Sequence, residues 1–227
     1  MKLKALLLGD LRLQYKYGFY FLYVVFSILY ICVLFALPEA WRGKTSVLLI
    51  FSDPAAIGLF FMGALILFEK GERALDSIAI SPIRPYEYIL SKVLSIALIS
   101  TIVALTIGIP AQAVQNPFYF IIGVFLCSCL FSAVGLIAAA KSISLNDFML
   151  AAVPAELLIN IPAIAYLFRW DPGWLLLHPG ASTIELLQNG RHSGAALAVL
   201  AVWTVLIAML ANRAVVKMFK SLGGIKL

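Results

Sequence analysis

Residues 68–93, FEKGERALDSIAISPIRPYEYILSKV, concentrate the charge of this chain. Eight of its 17 basic and 11 acidic side chains fall there: Glu69, Lys70, Glu72, Arg73, Asp76, Arg84, Glu87 and Lys92. Long apolar runs flank the stretch on both sides. From Glu69 to Ile80 the residues are good helix formers, and Leu75, Ile78 and Ala79 make a small apolar patch at helical spacing. Ser81-Pro82 and Arg84-Pro85 then interrupt it, because a residue preceding proline is pushed out of the α region. A second helix is predicted to begin at Pro82 or Pro85, with Glu87 in its first turn where the helix dipole favours an acid. It runs through Tyr88 and Lys92 into the following apolar run. The stretch reads as a short polar helix, an elbow and a stiff arm continuous with the next segment. On the residues alone an ordinary solvated loop fits as well.

Working outward, the chain is 63% hydrophobic and 12% charged, against about 25% charged in soluble domains. That composition makes it an all-α membrane protein. Six windows are long enough to cross roughly 30 Å of hydrocarbon as helices: 18–37, 47–68, 93–111, 118–140, 148–168 and 194–212. Only Asp53 and Glu156 interrupt them with charge. The chain reads as a single transmembrane domain, 1–227, with no room for a separate soluble catalytic domain. The first window is too long for a signal-peptide core and no small-residue cleavage site follows it, so it is expected to be retained. Residues 2–17, KLKALLLGDLRLQYKY, are too short and too charged to span and suit an interface helix or a basic topology anchor.

Orientation follows from the bias of Lys and Arg in the loops. Thirteen of the 17 lie in the amino-terminal segment, the 69–92 segment, at Lys141 and in the tail; Arg42, Lys44, Arg169 and Arg191 lie opposite. Both termini are therefore expected in the cytoplasm. The net charge of +6 is mostly this bias rather than a nucleic-acid footprint. Cys32, Cys127 and Cys129 sit within spans and read as small buried hydrophobes.

A carboxylate at membrane depth costs at least about 2.5 kcal/mol, so it must face protein or a watery cavity. Glu156 lies near the middle of the fifth span, flanked by Pro154 and Pro162 and one turn from Asn160. Prolines free carbonyls that need partners, and these residues are candidates for a pathway or an interface. Asp53 is a further candidate, although Ser52-Asp53-Pro54 also reads as a helix start with Asp53 as its cap. The segment 169–193 carries Trp170, Trp174 and three leucines between Pro-Gly breaks, as expected of a segment dipping into the outer leaflet and capping an exit. PEAWRGKT (38–45) ends like a phosphate-binding loop but lacks the leading glycine and a preceding strand. No complete loop of that type occurs, so the chain is not expected to hydrolyse ATP. His178 and His192 lack companions at ligand spacing, so no metal site and no catalytic residues are expected. An intramembrane enzyme would need polar groups clustered at one depth, which the sequence lacks. A self-sufficient ion-coupled carrier or channel fits the composition but usually carries several paired intramembrane charges.

EKGERALDSIAISPIRPYEYILSK resembles the first cytoplasmic loop of the ABC-2-type permeases, the membrane subunits of type V ATP-binding cassette exporters. It has the acidic-basic start, the aliphatic and acidic centre, the Ser-Pro, and an aromatic E-Y-x-L-x-K run into the next span. The six-span layout, the amphipathic leader and the long loop before the last span match along essentially the whole chain. Ala74 stands where a threonine is frequent in that family. The resemblance implies a prokaryotic plasma-membrane protein that pairs with a second permease, a copy or a relative, and with separate cytoplasmic ATPase subunits that bind the ATP and Mg. It implies export of an amphipathic or hydrophobic compound (drug, antibiotic, peptide or lipid-like), small drug exporters being the nearest kind. It further implies a coupling helix that docks on the ATPase through Glu69, Glu72, Arg73, Leu75, Asp76 and Ile78. Ser81 and Pro82 would form its elbow, with Glu87 and Lys92 at the base of the third span, and short re-entrant helices would precede span 6.

Overall fold

The computed structural model describes residues 2–52, 57–81 and 83–222. It is 85% helix, with no strand among the described residues. The helices are α1 (Lys2–Lys16), α2 (Phe19–Ala36), α3 (Glu39–Ser52), α4 (Gly58–Gly71), α5 (Ala74–Ala79), α6 (Pro85–Gly108), α7 (Pro117–Lys141), α8 (Leu145–Leu167), α9 (Pro179–Leu187) and α10 (Ser193–Leu222). A 3₁₀ turn, Gly173–Leu177, precedes α9. Five of them, α2, α6, α7, α8 and α10, are long and apolar enough to cross a membrane.

Side-chain size sets the layering. About two-thirds of the apolar windows of α6 and α7 are buried (67% each), against 22% for α2 and 17% for α8 and α10. The inner faces of α6 and α7 are rich in small residues, among them Ser91, Ser95, Ala97 and Ala104 on α6 and Ser128, Ser132, Gly135 and Ala139 on α7. Small side chains let helix backbones approach closely where no aqueous hydrophobic effect drives association. A Cβ on Gly135 would lie 2.3 Å from the Leu59 carbonyl oxygen, so the α4 and α7 backbones touch there. The outer helices instead expose bulky residues such as Phe21, Ile28 and Phe35 on α2 and Leu150, Leu157 and Ile161 on α8, suited to lipid contact.

Helix ends follow local chemistry. Arg84 is extended, Pro85 opens α6, and the Glu87 carboxylate accepts the Arg84 N–H at 2.9 Å. Asn116 caps α7 by accepting from the Phe118 N–H, and Ser144 and Asp147 cap α8 reciprocally. Of the two starts left open for the stiff arm, the structure takes Pro85.

Three expectations change. The helix that enters the 47–68 window starts earlier than expected: α3 begins at Glu39, where an acid follows Pro38, and α4 is described from Gly58, while Asp53 lies outside the described residues. The polar helix expected from Glu69 to Ile80 is divided. Glu69 and Lys70 end α4, and Arg73, at φ 55°, turns the chain before α5. Cys32 is exposed on α2, whereas Cys127 and Cys129 are buried as expected.

Candidate functional site

The α5 end of the bundle holds the main cluster of buried charge. Lys92, on α6, is 1% exposed, Glu69, at the end of α4, 4%, and Asp10, on α1, 7%. The Lys92 ammonium donates to Asp10 Oδ1 at 2.9 Å and to Glu69 Oε1. The Tyr88 hydroxyl, on α6, donates to Glu69 Oε2 at 2.6 Å. One turn along, Gln14 of α1 donates to the Ser95 hydroxyl at 2.8 Å. Burying an ion is tolerable only where partners replace water; here one cation and a phenol serve two carboxylates. Asp10 Oδ2 has no hydrogen-bond partner among the described residues. The result is an ionic clasp fastening the amino-terminal helix and the end of α4 to α6.

Beside the clasp, Lys70 donates to the carbonyls of Ala139, Ala140 and Ser142 at 2.7, 3.2 and 2.8 Å, a cation at the negative end of α7. α5 packs on α10 and α4, with Leu75 1% exposed. Glu72, Arg73, Asp76, Ser77 and Ile80 stay exposed, and Ile78 is half-buried. Glu72 accepts from the Tyr17 hydroxyl, and Tyr17 stacks on Phe68. That hydrogen bond holds the Tyr17 pKa above its ordinary value. Ser81 bonds back to the Ile78 carbonyl at 2.7 Å, closing the turn after α5, while Pro82 lies outside the described residues.

The sequence-derived docking set therefore divides. Glu72, Arg73 and Asp76 reach the surface; Leu75 turns inward as the anchor of α5. Glu69 and Lys92 are withdrawn into the clasp, because α1 covers the face they occupy. Asp10 and Tyr88 complete the cluster and were not singled out from sequence, although an aspartate inside a leucine-rich leader, LLLGDL, signals a buried partner.

At the opposite end, α9 is buried along its whole length. Pro162 cannot donate to the Leu158 carbonyl, four residues back; His178 hydrogen-bonds to that carbonyl instead, and its Nδ1 accepts the Gly180 N–H at 3.2 Å. Burial holds the His178 pKa below its ordinary value. Gly180 permits the contact, since a Cβ there would sit 2.5 Å from the Ile159 carbonyl oxygen. Glu185, also missed from sequence, accepts from the Tyr166 hydroxyl and the His192 N–H, each at 2.7 Å. Trp170 and Trp174 are exposed and meet edge to face. Glu156 is half-buried and accepts from Asn160 Nδ2 at 3.4 Å, a bond within α8. Gly43, Lys44 and Thr45 lie inside α3, so their N–H groups serve the helix rather than a phosphate.

Long apolar helices on a small-residue core, clasped at one end by buried ions, define a multi-pass helical membrane protein. Residues 1–223 match the fluoroquinolones export permease protein family, and the chain belongs to it. Two relatives carry the name fluoroquinolones export permease protein, both from Mycobacterium tuberculosis, strains CDC 1551 / Oshkosh and ATCC 25618 / H37Rv. Each is 30% identical over 183 residues, which is 78% of this chain and 76% of theirs. Membership bears out the likeness to ABC-2-type permeases carried by residues 69–92.

Proposed function

We propose that this chain is the membrane subunit of an exporter of fluoroquinolone-like amphipathic compounds, driven by ATP hydrolysed on a separate ATPase. In this reading the chain itself is not an enzyme and binds no cofactor. α3 and α4 together serve as the second of six spans, both termini and α5 face the cytoplasm, and two permease chains act together. α5 is the coupling helix.

One observation carries the reading. A short helix, α5, with exposed Asp76 and preceded by the exposed turn residues Glu72 and Arg73, is anchored by Leu75 and stands between α4 and α6, which the Lys92 clasp binds to each other and to α1. A push on α5 therefore reaches several spans as one body. The α9 end, with its exposed tryptophans, forms the outward cap.

The test is reconstitution in vesicles with and without a candidate ATP-binding cassette ATPase from the same genome. ATP-dependent accumulation of a fluoroquinolone, lost in Asp76→Lys together with co-purification of the ATPase, supports the reading. Drug movement by the chain alone would favour an ion-coupled carrier instead.

A further inference from the structure

A cavity of about 660 Å³ lies between α7, α8, α9 and α10. Its walls are two helical stripes. Leu130, Val134, Ala138 and Lys141 of α7 face Asp147, Ala151, Ala155 and Leu158 of α8. Each stripe spans twelve residues, about 17 Å of helix. The helices run antiparallel, joined by the turn 142–144, so Lys141 and Asp147 stand at the same end. His178, Pro179 and Trp203 close the other end. There the groups are already engaged: the indole N–H of Trp203 donates to the Leu177 carbonyl at 2.9 Å, and His178 is held by Gly180 and Leu158.

The chamber is thus an elongated apolar slot with its two charges at one mouth, where Asp147 also accepts the Ser144 N–H through Oδ2 at 3.1 Å. Alanines at 138, 151 and 155 give it width. Lys141 and Asp147 form no ion pair with each other, and Lys141 has no ion-pair partner among the described residues. The volume falls in the range of ligand pockets, about 300–1,000 Å³, which are mostly apolar with a few convergent polar groups. An anionic amphiphile would meet Lys141 but be repelled by Asp147, and a cationic one the reverse. A compound bearing both charges at one end satisfies both.

We propose that this slot is a substrate seat within a single chain, taking an amphipathic zwitterion with its apolar body toward Trp203 and its two charges at Lys141 and Asp147. The proposal rests on the exporter reading and adds to it the location of a site and the charge pattern of its ligand. A zwitterionic phospholipid shares this chemistry, and the experiment separates the two.

Trp41, Trp170 and Trp174 are replaced by Phe, leaving Trp203 as sole reporter, and the full chain is placed in nanodiscs of phosphatidylethanolamine and phosphatidylglycerol. Ciprofloxacin, a zwitterionic fluoroquinolone, should quench Trp203 saturably. Ala155→Phe, which fills the slot, should weaken binding at least tenfold. The ethyl ester of the drug, lacking the carboxylate, should bind wild type at least tenfold more weakly than the parent. It should show no such deficit in Lys141→Gln, an exposed change that leaves packing alone. Unchanged binding in both variants overturns the proposal. So does quenching by brominated phosphatidylethanolamine that the drug fails to displace, which would make the slot a lipid seat. Export assayed in parallel with the ATPase keeps the two readings apart: ATP-driven export without Trp203 quenching sinks only the seat, while binding without ATP-driven export sinks only the exporter.

Discussion

At the α5 end, buried acids meet a lysine; at the α9 end, the buried Glu185 meets only neutral donors, the Tyr166 hydroxyl and the His192 N–H. The partners differ in reach as well. Lys92 is separated by 82 residues from Asp10 and by 23 from Glu69, whereas Glu185 is separated by 19 from Tyr166 and by 7 from His192. A long-range ionic knot fails as a unit, because removing one charge strands the others away from water. A local neutral knot can open without disturbing helices that do not share it. The α5 end is therefore built to move as a body, and the α9 end to open by itself.

The sharpest way to break this contrast is Lys92→Met. Two buried carboxylates lose the one cation that pairs with them among the described residues, at a cost of about 3–5 kcal/mol. The expected outcome is loss of monodisperse folded protein in fluorescence-detected size exclusion. Asp10→Asn, which leaves the Lys92–Glu69 pair balanced, should remain folded. Equal behaviour of the two variants would refute a charge-balanced clasp.

Next in size is an effect on function without an effect on stability. Asp76→Lys alters only an exposed side chain, so the thermal midpoint should stay within about 2 °C, as expected for surface changes. Export and ATPase co-purification should fall at least tenfold. Retained coupling would assign docking to another surface.

Glu185→Ala tests the other end. Stranding the Tyr166 hydroxyl and the His192 N–H should cost about 1–3 kcal/mol. Amide exchange should quicken in α9 and in residues 188–193 but not in α1, α4 or α6. Faster exchange throughout the bundle would show the two ends to be one cooperative unit.

The smallest effect comes from His178. Its pKa is lowered by burial, so the fold favours the neutral ring. The associated stability is complete above the ordinary histidine value of 6.5 and is lost as pH falls below it through the lowered value. The thermal midpoint should therefore drop modestly between pH 7 and 5, and His178→Asn, which keeps a capping acceptor, should flatten that part of the profile. An identical pH dependence in the variant would place the titrating group elsewhere.

Much of the helix arrangement was legible in the sequence, because apolar run lengths and proline positions act locally. The Pro85 start of α6 and the capped starts of α7 and α8 sit close to the expected boundaries. The start of α3 at Glu39 was not read from the sequence, since VLLIF outweighed the helix-start signal of Pro38-Glu39. The clasp was not legible: its members come from three helices, and Lys92, between Ser91 and Val93, looks like an ordinary base of a span. Leu75 and Asp76 were assigned to one docking face, yet neighbours in a helix point about 100° apart, and only packing on α10 shows which turns inward. Glu185 was hidden in a segment read for its tryptophans and prolines.

Lys70 carries a mechanical consequence. Its ammonium reaches three carbonyls at the end of α7, while Gly135 of α7 lies against the backbone at Leu59 of α4. A one-turn slide of either helix, about 5.4 Å, would tear all three bonds and drive a bulkier residue into the place of that glycine. Piston travel between this pair is blocked, so any conformational cycle must carry α4 and α7 as a single strut and find its slippage planes elsewhere.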